Sequence, residues 1–61
     1  MMLQFKIGTG PLCRHEVKDY PMVGDRIDLP WPNGGTNQPV RITRIDFALT
    51  LEKSLFIGEW M

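Results

Sequence analysis

Apolar and polar residues alternate along most of this chain. Leu3, Phe5 and Ile7 are separated by Gln4 and Lys6, and Val40 and Ile42 are separated by Arg41. Val23, Ile27, Leu29 and Trp31 fall on one parity, with Arg26 and Asp28 on the other. Successive side chains of an extended backbone point to opposite faces, so each run predicts a strand with one dry and one wet face. From Val40 to Leu51 the phase changes: Val40 and Ile42 are even-numbered, whereas Ile45, Phe47, Leu49 and Leu51 are odd. A flat strand would send one of these sets into water. One extra residue near Thr43 and Arg44, a β-bulge, returns both sets to the core, bends the strand and helps a small sheet to curl. The alternative is a short turn that splits the segment into two strands.

Turn residues divide the remainder. Gly8-Thr9-Gly10-Pro11 ends the first strand, and Tyr20-Pro21 with Gly24-Asp25 leads into another. The run from Pro30 to Pro39 holds Asn33-Gly34, the strongest hairpin-tip dipeptide, between prolines that cannot donate to a ladder. Glu52-Lys53-Ser54 turns the chain into a last strand, Leu55 to Trp60. Leu12 to Lys18 reads either as a short strand or as a helical turn. Only one alanine occurs against eleven glycines and prolines and twelve valines, isoleucines and threonines, a composition that favours sheet. The expectation is a single all-β domain over 1–61, a small antiparallel SH3-like barrel or strongly bent meander of about five strands.

The run Pro21-Met22-Val23-Gly24-Asp25-Arg26-Ile27-Asp28-Leu29, a loop, and then Pro39-Val40-Arg41-Ile42-Thr43-Arg44-Ile45 resembles the layout of small SH3-like β modules. The resemblance covers about half of the chain. It implies an architecture and no particular activity.

Size and charge narrow the function classes. A chain of 61 residues buries only about 60% of its unfolded surface, so its stability is marginal without a disulfide, a metal or a partner. One cysteine, Cys13, excludes an internal disulfide, and with one histidine, His15, it cannot complete a four-ligand zinc site. Seven basic residues balance seven acidic ones, which gives no net pull toward nucleic acid or anionic lipid. The opening residues lack the charged and apolar regions of a secretory signal, and no apolar run approaches a membrane span. With a lone thiol, these features read as a cytoplasmic protein.

Four groups of residues are candidates for chemistry. Cys13-Arg14-His15-Glu16 brings a nucleophile, a base and a carboxylate together, but a thiolate catalyst also needs an enclosing cleft that so short a chain seldom provides. Asp19, Asp25, Asp28 and Asp46 read as turn residues or as surface partners of Arg26 and Arg44, rather than as a cation or glycosidase site. Arg26, Arg41 and Arg44, with aromatic neighbours, form a candidate stacking platform for single-stranded nucleic acid. Trp31, held between two prolines ahead of Asn33, is a candidate contact anchor, because aromatic residues dominate interface hot spots.

The last strand adds to this surface. Leu55 and Ile57 lie on one face, and Phe56 and Trp60 on the other, so one apolar face needs cover from a second copy or another protein. The sequence therefore reads as a non-catalytic binding module that uses no cofactor. Its partner is another protein or a second copy, contacted through Trp31, Asn33, Phe56 and Trp60. It resembles in size and charge the accessory proteins carried by phages and other mobile elements. A nucleic-acid-binding barrel is the alternative.

Overall fold

A computed structural model describes residues 1–30 and 36–61 of the chain. Five strands, β1 (Met2–Ile7), β2 (Leu12–Glu16), β3 (Arg26–Pro30), β4 (Asn37–Asp46) and β5 (Leu55–Trp60), form one sheet in the order β2-β1-β5-β4-β3. A 3-10 turn, Leu51–Lys53, precedes β5. The protein is all-β, and its sheet curls into a half-barrel. The uncertain segment after Pro11 is thus a strand. Leu12, Arg14 and Glu16 are exposed, whereas Cys13 and His15 are half-buried.

Three of the four strand pairings are antiparallel; β1 and β5 run parallel, with Phe5 opposite Phe56 and Ile7 opposite Gly58. Local sequence signals describe hairpins, and the parallel pair joins the two ends of the chain. Its cause is the core itself. Leu3, Phe5, Ile7, Leu29, Val40, Ile42 and Phe56 are all buried, and Phe5 and Phe56 meet with ring centroids 5.6 Å apart.

The bulge lies where the phase of the sequence changes. The β4–β5 register shifts between Ile42 and Arg44, so Ile42 faces Gly58 and Ile45 faces Phe56, both on the inner side. Thr43, the extra residue, donates its hydroxyl to the Ile57 carbonyl at 3.2 Å. The inward set ends sooner than the parity predicts. β4 stops at Asp46, leaving Phe47 65% and Leu49 100% exposed, and only Leu51 packs against the core. Parity assigns a face only while the backbone stays extended, and here it leaves the sheet. Val23 is likewise exposed, because it belongs to the turn ahead of β3.

That turn is closed by its own aspartate. Asp25 accepts from the Met22 amide at 2.9 Å and donates its own amide to the Met22 carbonyl at 3.0 Å. Gly24, at φ 93°, donates to the Ile42 carbonyl at 2.7 Å; a side chain there would strain a left-handed backbone.

On β5, Phe56 points inward and has no exposed surface, while Leu55 and Ile57 are half-buried on the outer face. Ile57 sits in register between Lys6 and Arg44. No helix of the described residues is long and apolar enough to cross a membrane.

Candidate functional site

The inner faces of both edge strands meet over a small cleft. Its walls come from Phe5 and Ile7 of β1, Cys13 and His15 of β2, Leu29 of β3 and Trp60 of β5. Its enclosed space is about 20 Å³, room for roughly one water molecule and far below the several hundred Å³ of a small-molecule site. His15 lies against Phe5, with centroids 5.8 Å apart and planes tilted by 47°. Burial in these apolar surroundings pushes the His15 pKa below its ordinary value of 6.5. The Cys13 thiol makes a long contact of 3.7 Å with the Pro11 carbonyl.

The nucleophile–base–carboxylate grouping of the sequence does not persist in space. Cys13 and His15 do share the inner face, as two residues of one strand must. Glu16 is on the outer face, so the carboxylate that would orient the base is on the wrong side of the sheet. Among the described residues, no three metal-ligating side chains converge.

The arginines do share a face. Arg26 is opposite Arg41, and the bulge keeps Arg44 on the same outer side, in register with Ile57. Two of the three are paired: Arg44 Nε is 3.0 Å from Asp46, and Arg26 approaches Asp28 at 3.7 Å. Arg41 is in register with Glu59 of β5.

The contact residues inferred from the sequence fare differently. Trp31 and Asn33 lie outside the described residues. Phe56 is corrected: at 0% exposure it belongs to the core, because its strand is central and its side chain faces inward. Trp60 is half-buried and lines the cleft.

The most exposed apolar pair among the described residues is one whose parity predicts the core. Phe47 and Leu49 sit on the β4–β5 connection, and hydrogen bonds hold that connection in place. Ser54 is fully buried; its hydroxyl accepts from the Ala48 amide and donates to the Thr50 carbonyl, both at 2.9 Å. The Thr50 carbonyl also accepts from the Ser54 amide at 3.1 Å, and the Thr50 hydroxyl caps the 3-10 turn through the Lys53 amide at 3.3 Å. The residues on both sides of Leu49 are therefore tied to one buried side chain. The sequence carries a signal for this in Thr50-Leu51-Glu52-Lys53-Ser54, where two hydroxyl residues flank the turn that leads into β5.

Comparison with protein-family models, curated proteins and solved structures returned no match to this chain.

Proposed function

We propose that this chain is a non-catalytic binding module whose partner is another protein. The observation that supports it is the fixed display of Phe47 and Leu49. A fully exposed leucine beside a largely exposed phenylalanine has no role in the chain's own core, yet the loop that carries both is tied down by Ser54. A contact surface already ordered before binding avoids much of the ordering cost of association, and aromatic and aliphatic anchors supply its affinity. Either a heterologous protein or a second copy suits this surface. The single thiol favours a reducing, cytoplasmic setting.

A photo-crosslinking residue placed at Leu49, with another at exposed Thr9 as control, tests the reading in cells that express the protein. The expected result is a discrete adduct at position 49 that is absent at position 9 and lost when Phe47→Asp is added. Equal labelling at both positions overturns the proposal. Light scattering on the purified chain then separates the partners, since a dimer broken by Leu49→Asp identifies a second copy.

The outer arginine face supports a second reading, single-stranded nucleic-acid binding, because the bulge aligns Arg41 and Arg44 with Arg26. Ion pairing of Arg26 and Arg44, together with zero net charge, weighs against it. Fluorescence anisotropy with a labelled oligonucleotide decides the matter, since this reading requires salt-dependent binding that Arg41→Ala weakens.

A further inference from the structure

We propose that His15 is an acid-sensitive latch on the edge strand β2: on taking up a proton its ring leaves the apolar cleft, and β2 loosens from β1 and opens the inner face to solvent. This device is independent of the partner-binding loop, which lies on the β4–β5 connection.

The geometry carries the inference. β2 is an edge strand paired only with β1, so half of its backbone groups have no strand to bond. Its hold on the core therefore depends on the inward side chains Cys13 and His15, with Val17 just beyond the strand. A neutral imidazole fits this position, its ring tilted against Phe5 and apolar walls around it. An imidazolium has two N–H donors and a charge that need water or an acceptor.

Among the described residues, the lining of the cleft offers no carboxylate. Cys13 is the titratable group beside His15 in the cleft, while Arg14 and Glu16 of β2 point to the outer face. From β1 the neighbours are Leu3, directly opposite His15, with Phe5 and Ile7, and Lys6 is outside; from β3 they are Leu29 and Pro30, with Arg26 and Asp28 outside. From β5 the neighbour is Trp60, with Glu59 outside. The ring of Phe5 attracts a cation weakly, whereas lost hydration opposes the charge more strongly, in keeping with the downward shift of the His15 pKa.

The sign of the pH effect follows. The unfolded or open strand has His15 near 6.5 and the closed strand has it lower. Closure is therefore fully stable above pH 6.5 and weakens as pH falls from there through the lower, closed-state value. Each unit of depression allows up to about a tenfold rise in the open population.

Two readouts test the latch on the intact chain. One is the rate at which 4,4′-dithiodipyridine labels Cys13, normalised at each pH to the urea-unfolded chain. The other is the chemical shift of the His15 Cε1 proton. The expected result is normalised labelling that rises as pH drops below 6.5, following the titration of His15, and a flat profile in His15→Phe, which keeps the ring without the proton. Equal acid responses in wild type and His15→Phe overturn the proposal. Should His15→Phe fail to fold, wild-type NMR still decides: a His15 pKa at or above 6.5, or labelling that does not track it, overturns the latch.

Discussion

Ser54 and Gly58 show how single atoms fix this fold. The Ser54 hydroxyl is fully buried and both gives and receives a hydrogen bond, so its removal deletes the bonds to the Ala48 amide and the Thr50 carbonyl. An intramolecular hydrogen bond contributes about 0.5–1.5 kcal/mol net, so losing both should lower the urea midpoint of Ser54→Ala by the equivalent of about 2 kcal/mol. It should also speed amide exchange at Ala48. Gly58 faces Ile42 at the register shift, and a Cβ built on it would lie 2.6 Å from the Arg41 carbonyl oxygen and 2.9 Å from Val40 Cγ1. The first of these is backbone inside a ladder and cannot turn aside. Gly58→Ala should therefore cost about 3 kcal/mol, toward the upper end for overpacking. At about 0.05–0.15 kcal/mol per residue, that is a large share of the chain's total stability. Arg44→Ala removes an exposed ion pair and should change the midpoint by less than about 1 kcal/mol. Thermal or urea unfolding of the three variants side by side checks this ranking.

At the level of elements, β4 shows what a pattern of apolar positions can and cannot tell. Val40, Ile42 and Ile45 are inward on both sides of Thr43, as the change of parity required, because side-chain direction is fixed while the backbone stays extended. Phe47 and Leu49 continue the same parity and yet are exposed, because Thr50 and Ser54 offer the backbone other hydrogen-bond partners and the strand ends at Asp46. Side-chain competition of that kind is short-range chemistry that alternation does not record. The site was legible in the same uneven way. The shared inner face of Cys13 and His15 follows from their spacing, but their apolar surroundings depend on β3 and β5, which arrive from distant parts of the chain. The bulge itself can be tested. Deleting Thr43 would force either Val40 and Ile42 or Ile45 to the outer face, so the deletion should abolish cooperative unfolding, followed by circular dichroism. Thr43→Val keeps the extra residue and loses only the bond to the Ile57 carbonyl, at about 1 kcal/mol.

Across the whole molecule, β5 is the joint on which the sheet depends. The hairpins β1–β2 and β3–β4 have no ladder between them, and β5 pairs with β1 on one side and β4 on the other. It also supplies Phe56 to the middle of the core, against Phe5. Isolated two-stranded hairpins are marginal in water, so each half relies on β5 for its third strand. The parallel β1–β5 pair joins residues from opposite ends of the chain, and closing so long a loop must precede the reward of pairing. The two hairpins should therefore remain unfolded until β5 docks. A chain truncated after Ser54 should show no cooperative transition, and a synthetic peptide of residues 51–61 added in trans should restore one. Trp60 travels with the peptide and lines the cleft once docked, so a shift in its emission reports assembly directly. A Phe56→Ala peptide should fail to restore folding at the same concentration, because filling that position with a smaller side chain costs about 3–5 kcal/mol. If the truncated chain were to unfold cooperatively by itself, the two hairpins would have to hold each other without their shared neighbour, and β5 would be an addition to the fold instead of its joint.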